Sequence, residues 1–192
     1  MIHTVGCARL NISFLCHYRS EMNYAGAGLI LLSSDLTHTL LVHDTRSGKW
    51  GFPKGHREAF DKSDLDCAIR EVNEETGLVA DDFVVQDDPF KISKGGHAYL
   101  FRYAIMKEGA RGKLRAGPAY EIAGLEWVSL QALMSAQNII DGNKYLRTWI
   151  ADVKAAINKK SVNLFKALVS KSGVCFRPTQ ESVSPCNVVA CS

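Results

Sequence analysis

Apolar and polar stretches alternate along the first part of the chain at the spacing of strands and turns. Segments 27–33 and 39–43 are mainly apolar and are separated by a polar stretch with Ser34 and Asp35, so we predict two strands joined by a turn. Segment 45–57 contains three glycines and a proline, which predicts a loop that Trp50 and Phe52 anchor to the core.

A helix is predicted to begin at Ser63 and to end at Gly77. Asp66 follows Ser63 at the spacing of a capping box, and glycine is common just after the last turn of a helix. Further along, the pattern predicts four elements: strands at 82–86, 98–106 and 125–129, and a short helix at 130–136. Interspersed strands and helices favour an α/β or α+β domain, and we predict the α/β class.

The last part of the chain is predicted to be helical and basic. Apolar residues recur at helical spacing from 142 to about 159, whereas Lys144, Arg147 and Lys154 lie on another face. A second, shorter basic helix is predicted at 161–170, and the segment after Gly173 is predicted to be disordered.

The composition excludes several classes of protein. The chain has 192 residues, 46% of them hydrophobic and 22% charged, which is typical of a globular protein. No apolar run approaches the roughly 18 residues that span a bilayer, so we predict no membrane partner. The six cysteines form no CxxC pair and no zinc-binding spacing, which favours a reducing intracellular compartment, the cytoplasm first. Arg9 and Arg19, with no acidic residue in the first 20, leave a mitochondrial transit peptide as the alternative.

Charge is unevenly distributed along the chain. The net charge is +3, but from Asp141 onward eight residues are basic and three are acidic, whereas acidic residues predominate before it. This asymmetry suits a polyanionic substrate, and a solvated basic helix remains the alternative.

Three glutamates share one side of the predicted helix. On a helix that turns about 100° per residue, Glu71, Glu74 and Glu75 fall within about 100° of arc. Like charges at these spacings repel, so a counterion is expected, and hard oxygen ligands suit Mg²⁺ or Mn²⁺. Such an ion implies a substrate that carries phosphate. A solvated acidic face is the alternative interpretation.

The residues around these glutamates resemble the signature of the Nudix hydrolases. The match consists of Gly55, Arg70, Glu71, Val72, Glu74, Glu75, Gly77 and Leu78. The resemblance implies a metal-dependent pyrophosphohydrolase with an α/β/α sandwich fold, a mixed sheet and a loop-helix-loop catalytic motif. It also implies that Glu71, Glu74, Glu75 and the backbone carbonyl of Gly55 bind the metal.

One acidic position of the signature is displaced. Fourteen residues separate Gly55 from Arg70, one more than the family pattern has. Counting forward from Gly55 places Asp61 where the family has its first glutamate, and counting back from Arg70 places Lys62 there. The resemblance implies that Arg70 braces the helix, and we expect Asp61 to be its partner if the inserted residue is accommodated.

Flanking residues resemble the catalytic domain of mRNA-decapping Nudix enzymes. The resemblance rests on segment 50–55, on Glu121, and on segment 143–150, which is similar to a helix that holds RNA in that family. It implies that Glu121 acts as a base, with an exposed acid at the start of a strand as the alternative, and that Lys144, Arg147 and Lys154 help to hold RNA. Lys54 and His56 lie in the loop at the start of the signature, where we expect them to bind substrate; for His56 the alternative is an exposed loop residue. Capped RNA is therefore the leading interpretation of the phosphate-rich nucleotide substrate.

Other substrates and roles remain open. The loop at 53–58 also resembles diadenosine tetraphosphate hydrolases, and the signature is shared with diphosphoinositol polyphosphate hydrolases. A non-catalytic Nudix module that binds nucleotide or RNA is a further alternative. We predict an N-terminal extension at 1–23, a Nudix hydrolase domain at 24–157 and a basic, partly disordered extension at 158–192, with the oligomeric state left open. Tyr99, Phe101 and Tyr103 alternate onto one face of a strand, where we predict core packing rather than base stacking.

Overall fold

The computed structural model describes residues 24–135 and 141–160. In these residues the strands are β1 (Gly26–Leu32), β2 (His38–Asp44), β3 (Lys49–Gly51), β4 (Lys54–His56), β5 (Phe83–Val85), β6 (Phe90–Lys94), β7 (His97–Met106) and β8 (Ile122–Ser129). The α-helices in the same residues are α1 (Asp64–Thr76), α2 (Leu130–Ser135) and α3 (Lys144–Lys160). None of these helices is long and apolar enough to cross a membrane.

The strands form one mixed, open sheet. Its main order is β3-β2-β1-β7-β5, with β4 paired to β1, β6 to β7 and β8 to β2. β1 and β7 run parallel along the whole of β1, and the other pairs are antiparallel. The predicted α/β class and mixed sheet are therefore confirmed.

Helices cover both faces of the sheet. β1 is buried along its whole length, because its residues alternate between two cores. Leu29 and Leu31 pack in the core under α1, with Val72 of that helix. Ile30 lies in the core under α3, with Trp149 of that helix. This layering places α1 on one side of the central strands and α3 on the other.

Both ends of α1 agree with the sequence prediction. The Ser63 hydroxyl accepts a hydrogen bond from the Asp66 amide at 3.1 Å, and Gly77 ends the helix with a φ of 73°. Only a residue that tolerates positive φ closes a helix in this way, which is why glycine stands there. α3 begins two residues later than predicted, because the Asn143 side chain accepts hydrogen bonds from the amides of Tyr145 and Leu146 as its cap. The predicted elements at 161–170 and after Gly173, like segment 1–23, lie outside the described residues.

The prediction of a loop over 45–57 is wrong, because that segment contains β3 and β4. Gly48 lies in a turn with a φ of 63°, as predicted, whereas Gly51 and Gly55 mark close approaches. A Cβ at Gly51 would lie 1.9 Å from the Asn143 side-chain nitrogen, and a Cβ at Gly55 would lie 2.1 Å from the Glu71 carboxyl carbon. β6 was also not predicted; it forms a hairpin with β7.

Candidate active site

The three glutamates of α1 lie at different depths. The Glu74 side chain is 53% exposed, the Glu71 side chain is 12% exposed, and Glu75 is buried with the apolar residues of the helix. They therefore do not form one solvated acidic face, as the alternative interpretation required. Two of the three carboxylates are held inside the protein, where a charge is costly unless it is compensated.

Glu75 faces the backbone of β4. Its carboxylate accepts a hydrogen bond from the Lys54 amide at 3.2 Å. Burial raises the pKa of Glu75 to about 8, and the nearby charges of Glu71 and Glu121 add to the rise, whereas the charge of Lys54 opposes it. A positive charge bound next to the Glu75 carboxylate would therefore be favourable.

Gly55 makes room for the Glu71 carboxylate. Any side chain at this position would overlap that group, since a Cβ would lie within 2.2 Å of both carboxylate oxygens. Burial raises the pKa of Glu71, and the hydrogen bond from Arg70 partly opposes the rise. The Gly55 carbonyl oxygen lies against Gly26, where a Cβ would approach it to 1.8 Å.

Arg70 connects α1 to the segment before it. Its guanidinium donates to both carboxylate oxygens of Asp61, at 3.1 and 3.0 Å, and to the backbone oxygen of His56 at 2.9 Å. It also donates to Glu71 at 2.7 Å and to Glu74 at 2.9 Å. One side chain thus orients two of the glutamates and secures the loop that precedes the helix.

Asp61, reached by counting forward from Gly55, is buried, whereas Lys62 is exposed. The hydrogen bond from Arg70 lowers the pKa of Asp61 to about 2, and a further bond from the Glu58 amide acts in the same direction. The extra residue between Gly55 and Arg70 is therefore compatible with a two-oxygen contact between the acid and the arginine.

Glu121 lies in the loop that leads into β8. Its amide donates to the Pro118 oxygen at 2.8 Å, and its own carbonyl accepts from the Thr45 amide at 2.9 Å. In the same loop the Gly117 amide donates to the Glu75 backbone oxygen at 3.0 Å. The loop therefore runs along the C-terminal end of α1 and brings the exposed Glu121 close enough to influence Glu75.

Lys54 and His56, the proposed substrate-binding residues of β4, both contact Tyr99 of β7. The Lys54 ammonium lies 5.8 Å from the centre of the Tyr99 ring, and the Tyr99 hydroxyl lies 3.2 Å from Nε2 of His56. Tyr99 was predicted to lie in the core, where it does lie, but these contacts were not predicted. The sequence contains one signal for such contacts. Gly26 and Gly28 are two residues apart and therefore lie on the same face of β1.

A basic groove runs along α3. It has a volume of about 400 Å³ and is lined by Lys144, Arg147, Thr148, Ala151 and Asp152. Lys154 is half-buried one turn further on and is not part of this lining. The ring of Tyr145 packs 5.0 Å from that of Tyr99, so the start of α3 adjoins the contacts around β4. The structure brings together two of the three basic residues predicted on this helix.

The described residues contain no group of three or more His, Cys, Asp or Glu side chains arranged to hold a metal ion. Arg70 pairs with the carboxylates of Glu71 and Glu74. The donor set nevertheless fits Mg²⁺ or Mn²⁺. Glu71 and Glu75 lie about one turn apart on α1, and carboxylate oxygens are the hard ligands that these ions prefer. The Glu74 contact is an exposed i,i+4 pair that contributes a few tenths of a kcal/mol, so exchanging it for a cation costs little.

Comparison with known proteins gives one family. The NUDIX domain family model matches residues 22–152, which is more than half of the chain. The chain is 40% identical over 67 residues to the m7GpppN-mRNA hydrolase of Saccharomyces cerevisiae, a match that covers 35% of this chain and 7% of that protein. It is 33% identical over 117 residues to the mRNA decapping complex subunit 2 of Schizosaccharomyces pombe, covering 60% of this chain and 15% of that protein. The chain thus spans a small part of the length of these relatives.

Solved structures show the same fold at low sequence identity. A NUDIX family hydrolase from Clostridium perfringens matches with a TM-score of 0.50 and 20% identity, covering 69% of this chain and 99% of that one. The MutT protein from Methanosarcina mazei Go1 matches with a TM-score of 0.50 and 21% identity, covering 71% and 96%.

Proposed function

Because the chain belongs to the Nudix family, we propose that it hydrolyses a phosphoanhydride bond in a nucleotide-containing substrate with the help of Mg²⁺ or Mn²⁺. The observation that carries this proposal is the pair of carboxylates on α1, buried at Glu75 and 12% exposed at Glu71, packed against the glycine-containing strand β4. A protein that used this helix only for stability would gain by replacing two buried acids with apolar residues.

The metal would be held by Glu71, Glu74 and Glu75, with the Gly55 carbonyl as the further ligand that the family resemblance implies. When bound, such an ion neutralises phosphate charge and lowers the pKa of a coordinated water. Arg70 would keep Glu71 in place while Glu74 exchanges its exposed contact for the cation.

The remaining site residues would bind and orient the substrate. Lys54 and His56 would contact its phosphates, because a lysine ammonium and an imidazole both donate hydrogen bonds to phosphate oxygens. Glu121 would accept the proton of the attacking water at its carboxylate, since it is exposed and lies on the loop that borders Glu75.

Capped RNA is the proposed substrate. The similarity to two mRNA-decapping proteins supports it, and so does the basic groove on α3, which adjoins the site through the contact between Tyr145 and Tyr99. An RNA chain that leaves the site along this groove would meet Lys144 and Arg147. Each phosphate neutralised in this way makes binding more sensitive to salt.

The test is product analysis after incubation with Mg²⁺ or Mn²⁺ and three substrates in parallel: cap-labelled RNA, diadenosine tetraphosphate and a diphosphoinositol polyphosphate. We expect release of the methylated guanosine diphosphate from long RNA, reduced by added salt. Cleavage of the small molecules alone would refute capped RNA as the substrate, and the proposal that the protein is a hydrolase would stand.

A matched pair of variants separates catalysis from binding. Glu75→Gln should retain RNA binding and lose turnover, whereas Glu126→Gln, an exposed change of the same kind in β8, should retain both. If the unmodified protein cleaves none of the substrates with either metal yet binds RNA, the chain is a non-catalytic binding module and the proposal fails.

A further inference from the structure

Tyr99 is the point at which the two proposed phosphate-binding side chains meet. Its hydroxyl lies 3.2 Å from Nε2 and 3.4 Å from Nδ1 of His56, and the two rings pack edge to face with centres 5.7 Å apart. The Lys54 ammonium lies over the face of the same ring, 5.8 Å from its centre. Tyr145 packs against the ring from α3 at 5.0 Å.

Glycines in β1 make this meeting possible. β4 and β7 are not neighbours, because β1 lies between them, and strands two positions apart are separated by about 10 Å. Gly26 pairs with His56 on one side and with Tyr99 on the other, and Gly28 pairs with Lys54 on one side. A Cβ at Gly28 would lie 2.6 Å from the Lys54 Cβ. The absence of side chains at both positions lets residues of β4 and β7 touch across β1.

The Tyr99 hydroxyl is suited to hold an imidazole. The side chain is buried, and this burial raises the pKa of Tyr99 to about 12, so the phenol keeps its proton. His56 is exposed, and the hydroxyl of Tyr99 lies within hydrogen-bond distance of its ring nitrogens. An exposed side chain with one buried partner is fixed mainly by that partner, because otherwise its rotamers remain free.

We propose that Tyr99 is a positioning residue that orients His56 and seats Lys54 for binding of the substrate's phosphates. This inference rests on the proposed function for the roles of those two residues. Tyr99 itself acts through them, since its hydroxyl is directed at His56. Side chains that are held before the substrate arrives lose less conformational entropy when it binds.

The test measures binding of inorganic pyrophosphate in the presence of Mg²⁺ by calorimetry, which needs no turnover. The proteins are the wild type, Tyr99→Phe, His56→Ala and the double variant. We expect Tyr99→Phe to raise the Kd about 3- to 10-fold, the loss that corresponds to one hydrogen bond. In the His56→Ala background the same change should have no further effect, because the residue through which it acts is gone.

A matched control lies on the same face of β7. The Tyr103 hydroxyl accepts a hydrogen bond from the Trp149 indole at 3.0 Å, away from β4. Tyr103→Phe should lower stability and leave the Kd for pyrophosphate unchanged. Tyr99→Leu, which also removes the ring beneath Lys54, should bind more weakly than Tyr99→Phe. In steady-state assays Tyr99→Phe should raise KM more than it lowers kcat.

A spectroscopic readout reports the contact directly. Long-range proton–nitrogen spectra at one fixed pH give the chemical shifts of the two His56 ring nitrogens, which should change in Tyr99→Phe and remain as in the wild type in Tyr103→Phe. A Kd for Tyr99→Phe within twofold of wild type, or effects of Tyr99→Phe and His56→Ala that simply add, would overturn the proposal.

The outcomes for the two proposals can be told apart. If His56→Ala binds pyrophosphate as tightly as the wild type, the positioning role fails, even where capped RNA is still cleaved. If the wild type cleaves nothing and pyrophosphate binding still depends on Tyr99 through His56, the positioning role stands and the proposed function fails.

Discussion

Replacing Asp61 tests whether the displaced acid of the signature stabilises the domain. The Asp61 side chain is 3% exposed and Arg70 is 18% exposed, so their contact is largely shielded from water. Asp61→Ala removes both acceptors of the Arg70 bonds and the acceptor of the Glu58 amide. Asp61→Asn removes the charge and keeps a side-chain oxygen.

The expected loss follows from what remains around Arg70. Removing one partner of a buried ion pair costs about 3–5 kcal/mol when the other charge is left alone. Arg70 keeps its contacts with Glu71, Glu74 and the His56 backbone, so we expect the lower figure of about 2–3 kcal/mol for Asp61→Ala. For a domain of this size that lowers the melting temperature by roughly 8–12 °C. Asp61→Asn should cost about half as much.

The contribution of Asp61 to the stability of the protein changes with pH in a defined direction. The pKa of Asp61 in the folded protein is about 2, below the value of about 3.9 for an unfolded chain. A carboxyl group whose pKa falls on folding stabilises the protein above its unfolded pKa, and this contribution is lost as the pH falls through its folded pKa. The stability difference between wild type and Asp61→Asn should therefore be constant above about pH 5 and should shrink between about pH 4 and pH 2.

Urea denaturation at several pH values measures these differences. Asp66→Asn is the matched control, because it removes an exposed acid from the first turn of the same helix and should cost a few tenths of a kcal/mol through the helix dipole. An Asp61→Ala protein within about 0.5 kcal/mol of wild type would refute the reasoning, as would a difference that persists unchanged to pH 2.

Three further predictions concern the site. Gly55→Ala places a Cβ about 2.1 Å from the Glu71 carboxyl carbon, so it should lower kcat/KM at least tenfold and destabilise the protein by about 1–3 kcal/mol in thermal melts; Gly112→Ala, with no atom within 4 Å, should change neither. Folding raises the pKa of Glu75 to about 8, so above about pH 5 the wild type loses stability that Glu75→Gln keeps; in EDTA the melting temperature of the variant should therefore exceed that of wild type, and added Mg²⁺ should raise the melting temperature of the wild type alone. Arg147→Ala should reduce by about one the slope of the logarithm of the RNA-binding constant against the logarithm of the salt concentration. An unchanged slope would show that RNA does not contact Arg147 in the α3 groove.

The layers of the fold could be predicted from the sequence, but the short strands β3 and β4 could not. α1 has a cap, a glycine stop and a continuous pattern, so its bounds were predicted to within one residue. β3 and β4 have three residues each, which is too short for a period of two to be recognised, and they contain glycines that normally indicate turns. Their pairing with β2 and β1 is a tertiary effect that local sequence does not carry.

Different parts of the candidate site could be predicted to different degrees. The angular spacing of Glu71, Glu74 and Glu75 follows from helix geometry, but their unequal burial depends on where β4 crosses α1. The contacts of Tyr99 with β4 were not predicted for a related reason: an aromatic residue in a strand normally packs in the core, and these contacts exist only in the register that β1 imposes.

The displaced acid explains why counting residues works in one half of the signature and fails in the other. From Arg70 to Thr76 the chain is helical, so each residue adds a fixed rise and rotation, and one insertion would turn every later glutamate away from the site. Before Asp64 the chain is not helical, and an added residue can be absorbed by a change of loop path. What the interaction requires there is a carboxylate within reach of Arg70, and Asp61 meets that requirement with two oxygens near 3 Å. The sequence spacing of the signature should therefore be applied strictly within α1. In the loop before α1, the distance of a carboxylate from Arg70 is the better criterion.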